Sequence, residues 1–549
     1  MRSAESEAQV SVDKIQNAIF SEVLWFCSSI FLTFSLIFYL DSCFLILSFK
    51  GARLSIFQSL KGLFRNSVIY GISHMLSRFI NFLLLPLYTH VLPPDEYGVV
   101  GIIFTYIAIL FVLYTYGLSS AFFRFFMDKG EADEKYRVCS TTFFTLLGTS
   151  LLFSSILIFF AEPVSDILFT GEVRDIGLAL TFMIRMAGII LFFDSLGLLG
   201  YLIILSNQKP GLFALLKFIF VSVNVGGNIV FVVILKRGIE GIFFANVIAS
   251  GVSLLTVLPV IIPYLRLRFS SQLLRELLSF GLPYIVVNAS VVVMDTIDRP
   301  MLERLASIDQ AGLYNAGVKL GMFMAIFVSA FRFAWMPFFM SHIQKENARL
   351  TFSKVMTYLM TVCLTVFLLL SFYIDQIARF RFMGYSLMGS EFWVSTIVVP
   401  PVLLAYVFYA AYLCFIIGIY IKKKTIYLSY ITAGGMAGNI LLNFLLIPWI
   451  GMMGAAWARL GAYVIMAVSI YFVSNRLYAI HYEWMRLVKL GLVTAALYAA
   501  GMHIPPAARV FLVLGMPLFL GAVNFWQAAE IERVKMIFRK LIPGAGGIL

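Results

Sequence analysis

Apolar runs long enough to cross a bilayer recur along almost the whole chain, and they constrain its fold more than any other feature. A transmembrane helix needs about 20 consecutive, mostly apolar residues. Such runs predict about 14 core helices, because a membrane-spanning segment must satisfy its own backbone hydrogen bonds. The predicted spans are 68–90, 98–120, 138–161, 176–204, 211–235, 241–263, 278–298, 313–339, 353–374, 392–420, 425–448, 452–474, 487–503 and 508–527.

The composition agrees with this pattern. Of the 549 residues, 61% are hydrophobic and 13% are charged, whereas soluble domains have about 45–50% apolar and about 25% charged residues. The sequence therefore predicts an all-α polytopic membrane protein. About 25 basic residues lie in loops on one predicted side of the membrane and about 8 on the other, so the core should begin and end in the cytoplasm. The net charge of +13 reflects these loops, and nucleic acid is not a predicted partner.

Short motifs occur twice at nearly the same separation. Gly98 and Gly312 are 214 residues apart, and Asn228 and Asn443 are 215 apart. The repeated motifs are Asp95–Gly98 with Asp309–Gly312, Asn224–Asn228 with Asn439–Asn443, and Gly238–Gly241 with Gly451–Gly454. This separation covers six predicted helices, so both halves have the same orientation. A parallel repeat of this kind predicts a substrate site between the halves near the bilayer midplane.

The repeat and the spans together give a domain organisation. Another apolar stretch near 18–49 precedes the core, and it predicts an extra N-terminal helix. This stretch is either a further anchor or sequence upstream of the true start codon. The predicted parts are an N-terminal extension (1–60), two six-helix lobes (61–270 and 271–485), and a final helix pair with a basic cytoplasmic tail (486–549).

Three segments carry a family resemblance. The segment Leu83–Gly98, the residues Asp298–Leu302 followed by Ala311–Leu320, and the segment Asn443–Ala458 resemble helix junctions of the bacterial polysaccharide-biosynthesis (Wzx-like) flippases. These proteins form one branch of the MOP superfamily of multidrug, oligosaccharidyl-lipid and polysaccharide exporters. The resemblance covers about 56–530. It implies a V-shaped pair of lobes, alternating access, and a lipid-linked oligosaccharide on polyprenyl pyrophosphate as cargo.

Cations predominate among the charged residues of the predicted spans. Intramembrane charges usually face a bundle interior or a cavity, and a pyrophosphate needs charge-assisted donors. Arg78 lies on a polar stripe of its helix, with Tyr70, His74, Ser77 and Asn81 at steps of three and four. We predict that the cargo is bound by Arg78, Arg124, Arg185, Lys217, Lys319 and Arg332. The alternative for each is a structural ion pair or a side chain that snorkels to the interface.

Two carboxylates and two amides suggest ion coupling. Asp295 and Asp298 lie on one predicted helix, and Asn439 and Asn443 lie on one face of another. Their oxygen atoms would suit a hard cation, so we predict coupling to Na⁺ or H⁺ at these four residues. The alternative is that Asp298 pairs with Arg299 or caps its helix. The sequence predicts no cofactor, metal centre or direct ATP hydrolysis, since the phosphate-binding motif G-x-x-x-x-G-K-[ST] does not occur.

The predicted function is a flippase for lipid-linked oligosaccharide repeat units in the bacterial cytoplasmic (inner) membrane. It would serve synthesis of O-antigen, capsule or exopolysaccharide, with membrane lipids, a polysaccharide polymerase and glycosyltransferases as partners. The alternatives are a MATE-type multidrug or cation antiporter, a peptidoglycan-precursor flippase, and a membrane-embedded polysaccharide polymerase or ligase. An enzyme is not the favoured interpretation, because acid–base chemistry would require groups on extracytoplasmic loops, and these loops are short.

Overall fold

The computed structural model describes residues 82, 84–128, 132–169, 180–382, 385–528, 530 and 531. The predicted N-terminal extension, Arg78 and most of the basic tail lie outside these residues. Apart from Arg381–Tyr385, the described residues belong to one compact unit.

Helices account for nearly all of this unit. Residues 84–91 are helical and are followed by the elements of the first half. These are α1 (Pro94–Thr115), α2 (Leu118–Asp128), α3 (Ala132–Phe159), α4 (Ala161–Leu168), α5 (Leu180–Ser206), α6 (Pro210–Asn228) with a π-helical extension (Ile229–Ile234), and α7 (Gly238–Ile261) with a 3₁₀ turn (Ile262–Tyr264).

The second half has the same general plan, and the last helix pair follows it. Its elements are α8 (Ser271–Thr296), α9 (Asp298–Leu305), α10 (Ile308–His342), α11 (Ala348–Arg379), the strands β1 (Arg381–Phe382) and β2 (Tyr385–Ser386), a 3₁₀ helix (Ser390–Val398), α12 (Val399–Phe415), α13 (Ile417–Ile421), α14 (Ile426–Ile450) and α15 (Met452–Leu477). The last pair is α16 (Trp484–Met502) and α17 (Pro506–Ala522).

Among the described residues, 12 helical segments are long and apolar enough to cross a membrane, and α17 is a shorter apolar helix. With the partly described span 68–90, these segments correspond one to one with the predicted spans. The chain is an all-α, multi-pass membrane protein, as its sequence predicts. The short helices α2, α4, α9 and α13 were not predicted, because each is too short to give a clear apolar period.

Local sequence explains where several helices begin. Pro94 occupies the first turn of α1, followed by Asp95 and Glu96. Proline is favoured there because its missing N–H would have no partner in the helix, and acidic side chains stabilise the positive end of the helix dipole. Ser270 and Ser307 cap α8 and α10 by accepting hydrogen bonds from backbone N–H groups of the first turn. Such caps satisfy donors that the helix itself leaves unpaired.

Both halves have a glycine with positive φ at the start of the repeated G-x-x-G motif. Gly238, between α6 and α7, has φ +52°, and Gly451, between α14 and α15, has φ +54°. Glycine adopts this left-handed conformation without the steric cost that a side chain would add. The repeated glycine therefore has a physical cause, which is the abrupt reversal between two long helices.

The halves contact each other near both ends of α1. A Cβ atom on Gly98 would lie 3.1 Å from the Gly312 nitrogen, and one on Gly312 would lie 3.0 Å from the Gly98 nitrogen. These glycines are repeat-related, so the contact is reciprocal, as expected where a pseudo-twofold axis passes between two equivalent segments. Near the other end, a Cβ atom on Gly281 of α8 would lie 3.0 Å from the carbonyl oxygen of Gly117.

An ionic cluster attaches the last helix pair to α11. Arg486 donates to Glu483 at 2.8 Å and to Glu530 at 2.9 Å. Tyr358 of α11 donates to Glu530 at 2.5 Å. Burial alone would raise the pKa of Glu530, but hydrogen bonds from Tyr358 and from the Gln527 N–H, with the charge of Arg486, lower it. The carboxylate form of Glu530 is therefore stabilised by folding.

Candidate functional site

A buried carboxylate, Asp298, is the centre of a polar cluster in the second half. Asp298 is 0% exposed. Its carboxylate accepts hydrogen bonds from the Tyr314 hydroxyl at 2.6 Å, Asn443 Nδ2 at 3.0 Å, Arg459 Nε at 2.9 Å and Arg459 Nη2 at 2.6 Å. The helix break between α8 and α9 puts Asp298 at this position, facing α14 and α15.

The cluster extends to Asp295 on the preceding turn. The Asp295 carbonyl oxygen accepts from Arg459 Nη2 at 2.7 Å, and its carboxylate accepts from the Tyr463 hydroxyl at 2.7 Å. Arg459 is 1% exposed and forms a salt bridge with Asp298. Because both partners are removed from solvent, this pair is screened little and its geometry is held closely.

Some polar atoms of the cluster have no hydrogen-bond partner among the described residues. They are Asn439 Oδ1 and Nδ2, Asn443 Oδ1, and Arg459 Nη1. Both asparagines are 0% exposed. Most buried polar atoms in proteins are paired. These unpaired atoms are therefore able to bind a small polar ligand or to form new hydrogen bonds within the cluster.

Two further cations lie where the halves meet. Lys319 Nζ of α10 is 5.5 Å from the ring centre of Tyr88 and 5.0 Å from that of Tyr97. Both tyrosines belong to the first half, so this ammonium group faces the opposite half. Arg299 Nε donates to Asn315 Oδ1 at 2.8 Å, and its positive charge interacts with that of Lys319.

The first half has an uncharged network at the repeat-related positions. Tyr88 donates to Asn228 Oδ1 at 2.7 Å, Asn228 Nδ2 donates to the Asn224 carbonyl at 2.8 Å, and Asn224 Nδ2 donates to Asn246 Oδ1 at 3.0 Å. Asn246 and Arg459 each lie five residues after the last glycine of their turn motif. The repeat therefore has an amide in one half where it has a guanidinium in the other.

The other predicted cargo residues have separate environments. Lys217 Nζ is 3.9 Å from the ring centre of Tyr201, and its charge interacts with Asp194, so it lies within the first-half bundle. The Arg124 guanidinium is 4.5 Å from the ring centre of Phe280, which links α2 to α8.

Arg332 and Arg185 are exposed although both belong to apolar spans. Arg332 donates to the Tyr409 hydroxyl at 3.3 Å. The structure thus brings Asp295, Asp298, Asn439 and Asn443 into one cluster. It does not bring the predicted cations together around one point, and Arg78 is outside the described residues.

Sequence reasoning did not identify Arg459, Tyr314 and Tyr463 as members of this cluster. The predicted alternative partner of Asp298, Arg299, instead donates to Asn315 and to backbone carbonyls. Two signals were available. Arg459 is a cation in a membrane-spanning segment, and it occupies the repeat position that Asn246 occupies in the first half. Neither signal identifies a partner 161 residues away in the chain.

The comparison with known families decides the classification. Residues 63–343 match the family described as "Polysaccharide biosynthesis protein". The chain belongs to this family. The chain is similar to the "Lsg locus putative protein 1" of Haemophilus influenzae (strain ATCC 51907 / DSM 11121 / KW20 / Rd), with 23% identity over 296 residues. The match covers 52% of this chain and 67% of the relative. The predicted family resemblance is confirmed.

Solved structures show the same fold. The chain matches a structure described as "Lipid II flippase MurJ, inward closed conformation" with a TM-score of 0.68 and 15% identity. This match covers 86% of the present chain and 100% of the other. The chain also matches an inward-facing MATE family multidrug transporter of the MOP superfamily with a TM-score of 0.61 and 12% identity, covering 75% and 98%. The chain therefore has the fold of these two transport proteins.

Proposed function

We propose that this protein is a flippase that moves polyprenyl-pyrophosphate-linked oligosaccharide repeat units across the bacterial cytoplasmic membrane by alternating access. No covalent bond of the cargo changes. The observation that carries this proposal is the position of Lys319, a half-buried cation directed from one half of the molecule at the other. The cargo would supply surface polysaccharide synthesis, with glycosyltransferases upstream and a polymerase downstream.

The chemistry of the inter-half contact favours an anionic head group. No carboxylate among the described residues pairs with Lys319, which has aromatic rings as its nearest partners. An ammonium group in a low-dielectric site interacts strongly with an anion, and a pyrophosphate carries several negative charges. An organic cation would instead be repelled by Lys319 and by Arg299, so the chemistry disfavours a drug-cation antiporter.

The contacts between the halves favour alternating access. The halves contact each other near both ends of α1, at Gly98–Gly312 and at Gly117–Gly281. A cargo that binds between them requires one of these contacts to separate while the other persists. Transport then follows from which contact is open, as in carriers whose repeats move against each other around a fixed site.

We extend the proposal to the remaining predicted cations. Arg332 is exposed within a membrane-spanning helix, so it is available to a sugar or phosphate that enters from that side. Arg78 is a further cargo contact by its position on a polar stripe. Arg124, Arg185 and Lys217 are further candidates, and Lys217 is the weakest of them because its charge already interacts with that of Asp194.

Ion coupling remains a proposal as well. We propose that an ion coupled to transport, Na⁺ or H⁺, would act at the cluster that contains Asp295, Asp298, Asn439 and Asn443. The salt bridge between Asp298 and Arg459 affects whether Na⁺ or H⁺ could bind at Asp298.

Transport by the purified protein in proteoliposomes tests the function. The cargo is a fluorescent polyprenyl-pyrophosphate oligosaccharide, and flipping is measured by its accessibility to a membrane-impermeant quencher. Lys319→Ala should reduce flipping by tenfold or more, since a hydrogen bond to a charged group contributes about 1.5–3 kcal/mol. Lys319→Arg should retain much of the activity, and Lys209→Ala, at an exposed loop lysine, should retain all of it.

Three outcomes would contradict the proposal. A change in the mass of the cargo would indicate an enzyme. Accumulation of an organic cation, without flipping of the lipid, would indicate a multidrug antiporter. Equal flipping by Lys319→Ala and Lys209→Ala would remove the inter-half cation from the mechanism.

A further inference from the structure

We propose that Arg459 is a permanent cation of the Asp298 cluster and that its guanidinium occupies the place that a Na⁺ ion would otherwise take. The site then needs no Na⁺ from solution, and transport draws on no Na⁺ gradient at Asp298. The part of this inference that concerns transport rests on the proposed flippase function, whereas the part that concerns ion binding does not.

The first argument is that a cation and two neutral donors already engage the Asp298 carboxylate. A carboxylate offers about four lone-pair positions. Four donor contacts reach it: Oδ2 accepts two from Arg459 and one from Tyr314, and Oδ1 accepts one from Asn443. The guanidinium neutralises the negative charge of Asp298, so a second cation would gain less attraction from this carboxylate.

The second argument is that Arg459 is fixed in this position. Its Nη2 also donates to the Asp295 carbonyl oxygen at 2.7 Å, and its guanidinium lies 5.6 Å from the ring centre of Tyr314. The side chain is 1% exposed. An arginine that is held by a carboxylate, a carbonyl and an aromatic ring cannot leave without exposing an uncompensated buried charge.

The third argument comes from the internal repeat. The first half has Asn246 where the second half has Arg459, and it has no carboxylate in the described network of Tyr88, Asn224, Asn228 and Asn246. The acid and the guanidinium therefore occur together in one half and are both missing from the equivalent network in the other. This co-occurrence is expected if the guanidinium is present to neutralise the acid.

The fourth argument concerns what would remain without the guanidinium. The guanidinium contacts oxygen atoms of Asp298 and the Asp295 carbonyl, and the same cluster contains the unpaired Asn443 Oδ1 and Asn439 Oδ1. Carboxylate, carbonyl and amide oxygens form a ligand set that suits a hard cation. Removal of Arg459 should therefore create a Na⁺ site that the natural protein lacks.

Thermal unfolding of the purified full-length protein provides the test. The midpoint is measured in NaCl, KCl and choline chloride at equal ionic strength and constant pH. We expect no Na⁺-specific shift for the natural protein. Arg459→Ala should gain a Na⁺-specific rise of about 2 °C or more at saturating Na⁺. Arg459→Lys, which keeps the charge, and Arg459→Ala with Asp298→Asn, which removes the acid, should show no shift.

Either of two results would overturn the inference. One is a Na⁺-specific rise for the natural protein that Asp298→Asn abolishes. The other is a folded Arg459→Ala variant that responds equally to Na⁺ and K⁺. The first result can be obtained even if Arg459→Ala fails to fold. Neither measurement uses cargo, so absence of flipping would refute the proposed function and leave this inference standing.

Discussion

Gly312→Ala should separate the two halves at the contact that closes one end of the molecule. A Cβ atom at this position would lie 1.7 Å from the Pro94 carbonyl oxygen and 3.0 Å from the Gly98 nitrogen. Both neighbours are backbone atoms, so no side-chain rotation relieves the clash. Since non-bonded heavy atoms prefer separations of about 3.5–4.0 Å, α10 and α1 must move roughly 1.5 Å or more apart.

The energetic effect follows from two opposing terms. Overpacking of this kind costs about 1–3 kcal/mol, and alanine gains about 1 kcal/mol over glycine in helix propensity. The net penalty is therefore up to about 2 kcal/mol, which changes a two-state population by a factor of up to about 30. We therefore expect conformations in which this contact is open to become much more populated.

Distance measurements between spin labels would detect this change. Phe159 is 83% exposed and Trp449 is 88% exposed, and both lie at helix ends that the loop charges predict to be extracytoplasmic. Labels at these two positions, in a background without the native cysteines, should give a longer and broader distance distribution in Gly312→Ala.

The matched control is Gly148→Ala. Gly148 also lies within a helix, and a Cβ atom there would meet nothing within 4 Å, so this variant has the propensity gain without the clash. If the two variants gave the same distance distribution and the same melting temperature, the close contact between Gly312 and Pro94 would not maintain this conformation.

Two neighbouring tyrosines and one carboxylate give further expectations. Tyr88→Phe should destabilise the protein by about 1–3 kcal/mol, because Asn228 loses a buried donor. Tyr97→Phe should have little effect on stability, since the Tyr97 hydroxyl has no partner among the described residues. Equal melting temperatures for the two variants would contradict this expectation. Because the pKa of Glu530 is lowered in the folded protein, its stabilising contribution is complete above the ordinary carboxyl pKa and is lost as the pH falls through the folded value. Glu530→Gln should therefore reduce the loss of melting temperature on acidification, and an unchanged pH profile would exclude Glu530 as a contributor.

The difference between the two halves has a consequence for how they work. Their scaffolds share the G-x-x-G reversal and the paired asparagines, yet one network is neutral and the other contains a buried ion pair. A buried ion pair is weak evidence for stability, but breaking one by removal of a single partner is strongly destabilising. The second half should therefore be the more rigid of the two in this region, and the pair fixes α15 against the α8–α9 break.

The sequence by itself determined the class of protein, the positions of the spans and the family. These features depend on local composition, since a run of about 20 apolar residues is a property of consecutive positions. The repeat was also readable, because Gly238 and Gly451 each provide a positive φ where one long helix is followed by the next. The grouping of Asp298 with Asn443 could be predicted from helix faces and the expectation that intramembrane polar residues face inward.

Only the tertiary structure decided which cation neutralises Asp298. Arg299 is adjacent in the chain and Arg459 is 161 residues away, and sequence spacing favours the adjacent residue. The break between α8 and α9 instead directs the carboxylate at α15, while Arg299 is directed at Asn315. Charge pairing depends on distances of a few ångströms between helices, and these distances are set by how whole helices pack, which no local pattern in the sequence records.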